Sequence, residues 1–317
     1  MGRRGRHGAP AREIDLAVQI GSVTLRAPVM TASGTAGHGL ELAPYVDLAR
    51  LGAVVVKSLS AEPWPGNPAP RLIGAPQGML NAVGLQGPGV QHWLEHDLPA
   101  LRAAGATVVA SIWGRSVADY AAAARALRGA DVAAVEVNLS CPNLEGRRGI
   151  FAHDAALSAE VIDVASAAGL PRWAKLSPNT DRVVEVAAAV HEAGAEAVTL
   201  INTLLGMVLD PGTGRPALAA GGGGWSGRAV HPVAVRAVYD VHASLPALPI
   251  VGAGGVTDGW SAAELMLAGA TAVQVGTASF ADPRASGRVL DDLARLLERR
   301  GVMRAAQIIG VAHSGGW

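Results

Sequence analysis

Eight short apolar segments alternate with alanine-rich helical patterns along nearly the whole chain, and this alternation constrains the fold more than any other feature. Such an alternation is typical of parallel sheets, whose strands are buried on both faces. Half of the residues are hydrophobic but only 4% are aromatic, so the core must consist mainly of Ala, Val, Leu and Ile. The predicted strands are Pro28–Ser33, Ala53–Ser58, Thr107–Trp113, Ala133–Leu139, Arg172–Leu176, Ala197–Asn202, Pro249–Gly252 and Ala272–Gly276.

The helical patterns between these strands indicate how the sheet is closed. Several of them end in Ala-Gly-Ala, at 104–106, 193–195 and 268–270, where Gly can stop a helix. Eight strands with intervening helices and no break in composition predict one α/β domain, a (β/α)8 TIM barrel spanning residues 13–317. An open doubly wound sheet is the alternative, weakened because no Gly-x-Gly-x-x-Gly follows the first strand. The predicted helices include Val117–Leu127, Ala155–Ala168, Asp181–Ala193, His231–Ala243 and Ser261–Leu267.

Three segments lie outside the regular repeat. Gly21-Ser22, between Leu16–Ile20 and Val23–Leu25, predicts an N-terminal β-hairpin that closes the bottom of the barrel. The long connections Leu59–Val90 and Leu204–Arg228 both follow strands. We therefore expect long βα loops at the C-terminal face, where barrel enzymes have their active sites.

Composition excludes several classes of function. The 26 basic residues equal the 26 acidic ones, so no net field favours nucleic acid. The basic segment 1–12 lacks an apolar stretch and predicts a disordered tail, not a signal peptide or anchor. The sequence contains no charge-free apolar run of about 18 residues, so no membrane span is predicted. A single cysteine, Cys141, excludes internal disulfides and an iron–sulfur cluster in this chain. We expect a cytoplasmic protein without a resident metal.

Polar residues end six of the eight predicted strands. In a barrel these ends converge on one mouth, so their side chains predict a binding site there. The alternative is that each residue merely caps its strand. The residues concerned include Ser33, Lys57, Ser58, Asn138, Lys175, Asn202 and Thr277.

Glycines and two strand lysines indicate an anionic ligand. Gly254-Gly255 and Gly276-Thr277 follow the last two strands, where barrel loops bind phosphate through backbone N–H groups. Lys175 lies inside an apolar strand and needs an anionic partner, such as a reduced flavin or a phosphorylated substrate, unless it serves Schiff-base chemistry. A salt bridge to a helix on the outer face of the barrel is the alternative for Lys175 and for Lys57.

Cys141 is the candidate catalytic residue. A lone cysteine is more often a small buried hydrophobe. Here it follows a strand, beside Pro142 and between two asparagines, which favours a role as a base. A nucleophilic role would need a nearby His with a further orienting group, and nothing marks His153 as such a partner.

Taken together, these motifs resemble the dihydroorotate dehydrogenases of class 1, and more specifically class 1B. The resemblance extends from about Val18 to Phe280. Its segments are Met30-Thr31-Ala32-Ser33-Gly34-Thr35, Gly66-Asn67-Pro68-Ala69-Pro70-Arg71, Gly78–Gln86, Asn138–Asn143, Lys175-Leu176-Ser177-Pro178-Asn179, Ile201-Asn202-Thr203 and Gln274-Val275-Gly276-Thr277.

The resemblance implies FMN-dependent oxidation of (S)-dihydroorotate to orotate in de novo pyrimidine biosynthesis. Cys141 would remove a proton from C5 while hydride leaves C6 for flavin N5, with Lys57 contacting both flavin and substrate. Lys175 would stabilise the reduced flavin at N1. The substrate site would comprise Asn81, Gly84, Leu85, Asn138, Asn143, Asn202 and Thr203. The FMN site would comprise Ala32, Ser33, Lys57, Ser58, Asn138, Lys175, Ile201, Gly227, Gly254, Gly255, Gly276 and Thr277.

Class 1B also implies partners. Its members act with a second subunit that contains FAD and a 2Fe–2S cluster and passes electrons to NAD. A chain with one cysteine cannot hold that cluster. We therefore expect a homodimer of this chain, extended to a heterotetramer by such an electron-transfer subunit.

Two added tryptophans are the main departures from the family pattern. Ser111-Ile112-Trp113-Gly114 replaces an Asn followed by small residues, and Trp225 replaces a Leu. The segment Gly87-Pro88-Gly89 also departs from the family pattern. The tryptophans leave open a related FMN barrel that acts on another cyclic amide or enone. A flavin-free barrel lyase or isomerase with a phosphate site is the alternative from another class.

Overall fold

The computed structural model describes residues 14–75, 77–140 and 151–317. All eight predicted parallel strands are present, each close to its predicted range. The strands of the described chain are β1 (Val18–Ile20), β2 (Val23–Leu25), β3 (Val29–Thr31), β4 (Val54–Val55), β5 (Leu72–Ala75), β6 (Gly78–Asn81), β7 (Val108–Ile112), β8 (Ala134–Asn138), β9 (Arg172–Lys175), β10 (Ala197–Leu200), β11 (Leu204–Gly206), β12 (Gly223–Gly227), β13 (Ile250–Ala253) and β14 (Ala272–Val275).

Eight of these strands form one parallel sheet in the order β3-β14-β13-β10-β9-β8-β7-β4. Its two edges meet, because the Gly52 N–H donates to the Val29 carbonyl (2.8 Å) and the Thr31 N–H to the Ala53 carbonyl (3.2 Å). The Thr31 hydroxyl extends this seam. It accepts from the Val55 N–H (2.9 Å) and donates to the Val55 carbonyl (3.3 Å). The sheet is thus closed into the predicted (β/α)8 barrel, and the open doubly wound sheet is excluded.

Helices surround the barrel at the predicted positions, and their ends differ from the predicted ones by a few residues at most. Gly105 and Gly194 follow α2 and α5 at positive φ (73° and 95°), which explains why these helices stop there. The helices are α1 (Val90–His96), α2 (Leu98–Ala103), α3 (Val117–Ala126), α4 (Ala155–Ala165), α5 (Val183–Glu192), α6 (His231–Ser244), α7 (Gly259–Ala268), α8 (Ala278–Ala281) and α9 (Ala285–Arg299). Short 3-10 helices lie at Leu48–Arg50, Phe151–His153, Ser166–Ala168, Arg228–Val230, Ala305–Ile308 and Val311–Ser314.

The predicted N-terminal hairpin is formed by β1 and β2, which pair antiparallel around Gly21-Ser22. Its inward residues are buried and its outward residues are exposed, which is the alternation that a half-buried strand requires. The N–H and hydroxyl of Ser22 both donate to a carboxylate oxygen of Glu196 (2.7 Å each). Glu196 directly precedes β10, so the hairpin lies at the amino-terminal end of the barrel, as predicted.

The two predicted long connections lie at the opposite end of the barrel and contain strands. They contribute a four-stranded antiparallel sheet in the order β11-β12-β6-β5. The glycines in these strands have low β propensity, which hides the strands from sequence analysis. They are required by packing, because a Cβ on Gly78 would lie 1.9 Å from the Ser226 carbonyl oxygen, and one on Gly224 would lie 2.1 Å from the Thr203 hydroxyl oxygen.

In the described part of the chain, no helix combines the length and apolarity that crossing a membrane requires. The predicted tail, residues 1–12, lies outside the described residues.

Replacement of Thr31 by valine is expected to weaken the seam. Thr31 is fully buried, so the change leaves the Val55 N–H without its acceptor at nearly constant side-chain volume. We expect a loss of about 1–3 kcal/mol in the free energy of unfolding, measured by urea denaturation. Thr24→Val, on an exposed hairpin position, is the matched control and should change stability by less than about 0.5 kcal/mol. Equal effects of the two substitutions would contradict the role given to the hydroxyl.

Candidate active site

A cavity of about 1060 Å³ lies at the carboxyl ends of the barrel strands. Its walls include residues that follow β3, β4, β8, β10, β13 and β14, together with residues of the four-stranded sheet. The volume is at the upper end of the range for ligand pockets, roughly 300–1,000 Å³. The cavity can therefore hold a ligand larger than a single small metabolite.

Every predicted site residue in the described part of the chain lines this cavity. Cys141 and Asn143 belong to residues 141–150, which lie outside the described residues. Ser140, which directly precedes Cys141 in the sequence, lines the cavity. The predicted residues that line the cavity are Ala32, Ser33, Lys57, Ser58, Asn81, Gly84, Leu85, Asn138, Lys175, Ile201, Asn202, Thr203, Gly227, Gly254, Gly255, Gly276 and Thr277.

A chain of hydrogen bonds holds the amide side chains on one wall. Asn138 donates to the Ser58 hydroxyl (3.1 Å) and accepts from the Ser140 hydroxyl (3.1 Å). Asn202 donates to Ser140 (2.5 Å), and its amide oxygen accepts from the Thr203 N–H (2.8 Å). These bonds fix which amide atoms remain available to a ligand. Sequence analysis did not assign Ser140 to the site, although its position between Asn138 and Cys141 was a signal.

Lys175 points into the barrel, so an outer-face salt bridge with a helix is not its role. Only 5% of the residue is exposed. Its ammonium donates to the Ser33 hydroxyl (3.1 Å) and lies 3.7 Å from a carboxylate oxygen of Glu136, on β8. The positively charged side chain of Lys175 thus extends from inside the barrel to the cavity wall. Lys57 also lines the cavity, from the end of β4.

The residues around Lys175 form a polar layer that sequence analysis missed. Glu136 is fully buried and accepts from the Thr199 hydroxyl (2.9 Å) and the Gln274 amide (2.7 Å). Gln274 lines the cavity as well. Each residue interrupts an apolar strand pattern, and that interruption was the available signal, because a charge or amide buried in a strand requires a partner.

The opposite end of the cavity presents backbone donors. Within the described part of the chain, the N–H groups of Gly254, Gly255, Gly276 and Thr277 donate to no acceptor. Backbone N–H groups that lack a protein partner must bind water or a ligand, and a phosphate accepts several such bonds. This end of the cavity fits the predicted phosphate site.

Packing also requires two of the glycines that sequence analysis assigned to phosphate binding. At Gly255, where φ is +68°, a Cβ would lie 2.6 Å from the Cβ of His231 on α6. At Gly254 it would lie 2.8 Å from the Cβ of Ala234. Only at Gly276 is there room, because the nearest atom to its Cβ would be that of Ala32 at 3.4 Å.

Loop residues 82–85 form the third wall and are held from behind. Gly84 and Leu85 both have positive φ (73° and 62°). The Trp64 indole donates to the Gly84 carbonyl (3.0 Å), and the Asn67 amide donates to the Ala82 carbonyl (2.9 Å). These bonds hold the backbone of a predicted substrate-binding segment in an uncommon conformation.

Neither added tryptophan lines the cavity. Trp113 is buried and packs edge-on against Trp64, with ring centroids 5.9 Å apart. Trp225 lies on β12 with its indole nitrogen buried. The two residues that suggested a different substrate therefore pack beside the site and do not line it.

His38 lies close enough to Lys57 for their charges to interact. Burial lowers the pKa of His38, and the nearby Lys57 ammonium lowers it further. His38 is therefore neutral at neutral pH. It adds no second positive charge beside Lys57.

The fold and this site define a barrel enzyme with its active centre at the carboxyl ends of the strands. The family model described as dihydroorotate dehydrogenase matches residues 15–297. The chain belongs to the dihydroorotate dehydrogenase family.

Several relatives are similar over nearly their whole length, and all three below are named dihydroorotate dehydrogenase B (NAD(+)), catalytic subunit. The protein of Geotalea uraniireducens is 44% identical over 298 residues, 93% of this chain and 97% of the relative. That of Desulforamulus reducens is 44% identical over 303 residues, 95% of this chain and 99% of the relative. That of Geobacter sulfurreducens is 45% identical over 298 residues, 93% and 97% of the two chains.

Two glycine substitutions should show which of these glycines is required for packing. Gly255→Ala should lower the free energy of unfolding by about 2–4 kcal/mol, because the new Cβ meets His231 and φ is positive. Gly276→Ala should change it by less than about 1 kcal/mol, since its Cβ has room. Urea denaturation of the ligand-free proteins measures both. A large loss for Gly276→Ala would show that this glycine, too, serves packing.

Proposed function

We propose that this chain oxidises (S)-dihydroorotate to orotate with a bound FMN, as a step of de novo pyrimidine biosynthesis. The observation that supports this most is the convergence of all seventeen described site residues on one cavity, although they come from distant parts of the sequence. Family membership and relatives with a dihydroorotate dehydrogenase name over almost the full length support the same reaction.

The residues present fit an FMN. The N–H groups of Gly254, Gly255, Gly276 and Thr277, which have no acceptor among the described residues, suit its phosphate. The Lys175 ammonium suits the negative charge of the reduced ring. Bound there, FMN would supply the acceptor for the hydride, and with it the two electrons, that leaves the substrate. The chain itself would bind and orient the cofactor.

The substrate is held by the amide wall in this proposal. Asn81, Asn138 and Asn202 offer both donors and acceptors, which the edge of a pyrimidine ring requires. Asn81 is tied to the Gly224 carbonyl of the four-stranded sheet (3.2 Å), and Asn202 to Thr203. Lys57 supplies a positive charge for the carboxylate of dihydroorotate. Because the amides are already hydrogen-bonded to the protein, they are oriented before the substrate arrives.

Cys141 is the proposed base. It takes the proton from C5 as hydride leaves C6, so the substrate loses two electrons and two hydrogens and becomes orotate. Its predecessor Ser140 lines the cavity. Asn143 would complete the substrate site from the same segment.

The names of the relatives support a proposal for the electron acceptor and the partners. Their name, catalytic subunit, implies a further subunit in their complexes, and it includes NAD(+). We propose that two copies of this chain form a dimer and that each binds a subunit with FAD and a 2Fe–2S cluster, giving a heterotetramer that reduces NAD.

Anaerobic addition of (S)-dihydroorotate to the purified protein should bleach a flavin absorption band. The substrate delivers two electrons to FMN, whose oxidised form absorbs in the visible range. The product orotate is the control and should leave the band in place. A band that persists with dihydroorotate would contradict the substrate, and a protein that takes up no flavin from added FMN would contradict the whole proposal.

Replacement of Cys141 by serine should slow flavin reduction by dihydroorotate about 10²–10⁴-fold, because a hydroxyl is a much weaker base at neutral pH. Stopped-flow absorbance measures the rate under anaerobic conditions. FMN content and reduction by dithionite should match the unchanged protein, since neither needs the base. Reduction at a near-normal rate would exclude Cys141 as the base.

A further inference from the structure

Glu136 is a fully buried carboxylate that the proposed reaction does not use. It lies in β8, and its Oε2 atom accepts hydrogen bonds from Thr199 on β10 (2.9 Å) and Gln274 on β14 (2.7 Å). Burying a carboxylate is costly unless it is paired. Two neutral donors fix its position from the other side of the barrel, so this charge is held in one place.

The second oxygen of Glu136 faces Lys175 without bonding to it. Oε1 has no hydrogen-bond partner among the described residues and lies 3.7 Å from the Lys175 Nζ atom. The ammonium donates instead to Ser33 on the cavity wall (3.1 Å). An ammonium has three donors, so Lys175 keeps donors for a ligand while the carboxylate attracts it from behind.

Glu136 does not line the cavity, whereas Lys175, Ser33 and Gln274 do. Its carboxylate therefore cannot contact a bound ligand. It can act on one only through its field and through the position of Lys175. With a low effective dielectric constant, about 20, such a buried charge influences a neighbouring ring strongly.

We propose that Glu136 is a positioning residue that sets the reduction potential of the flavin. It holds the Lys175 ammonium at the cavity wall and offsets most of its positive charge, so that the flavin is not stabilised too strongly in its reduced, negatively charged form. This inference rests on the proposed function, because it takes FMN as the occupant of the cavity.

Glu136→Gln tests the inference, since it removes the charge at almost constant shape. The reduced cofactor should bind about tenfold more tightly relative to the oxidised one than in the unchanged protein. For a two-electron couple this raises the potential by about 30 mV. Equilibration with a reference dye under anaerobic conditions measures the potential, and FMN content should stay near that of the unchanged protein.

Thr199→Val is the matched control. It removes one hydrogen bond to Glu136 but keeps the charge. The ratio of the affinities for reduced and oxidised FMN should therefore change less than about twofold. A merely structural role of Glu136 predicts that both variants lose stability and FMN and that neither shifts the potential. An unchanged or lower potential in Glu136→Gln would overturn the inference.

If Glu136→Gln does not fold, the double variant Glu136→Gln with Lys175→Met removes both charges and is compared with Lys175→Met alone. The double variant should still have the higher potential, because the carboxylate's field is gone, and equal potentials would overturn the inference. Failure of the proposed function is distinguishable: the unchanged protein would then bind no FMN. A flavin of the same potential with and without the carboxylate refutes only the role of Glu136.

Discussion

The seam between β3 and β4 is the constraint on which the site depends. A parallel sheet brings the carboxyl ends of its strands to one mouth only if its two edges are joined. β4 is short, so few backbone hydrogen bonds join it to β3. Gly52 and Thr31 make this pairing possible. A Cβ on Gly52 would lie 2.1 Å from the Ala27 carbonyl oxygen, and the Thr31 hydroxyl bonds both polar groups of Val55. Without this closure the residues after β3 and β4 would not face those after β9 and β10.

The barrel interior is apolar in most places and polar directly beneath the cavity. Glu136, Lys175, Thr199 and Gln274 occupy buried strand positions that apolar residues could fill at no cost in desolvation. Their hydrogen bonds cross from β8 to β10 and β14, and the Glu136–Lys175 ion pair joins β8 to β9, so the polar layer requires the closed barrel. Lys175 and Gln274 of this layer line the cavity.

The four-stranded sheet covers the site because its backbones approach closely. Glycines at Gly78 and Gly224 permit that approach, while Gly254 and Gly255 permit close contact with α6. The same packing holds the backbone at this end of the cavity in place. Gly254 and Gly255, which sequence analysis assigned to ligand contact, thus also serve the packing of the fold, whereas Gly276 has room for a Cβ.

The sequence by itself determined the barrel, the hairpin and a set of residues that line one cavity, because apolar periodicity, turn glycines and polar strand ends are local signals. It did not reveal the strands β5, β6, β11 and β12, since their glycines satisfy contacts between distant segments. Nor did it show that Glu136 pairs with Lys175, or that Trp113 packs away from the cavity. Which residues meet across a barrel depends on strand order and on the inward or outward direction of each side chain. Only the closed tertiary structure decides these two properties.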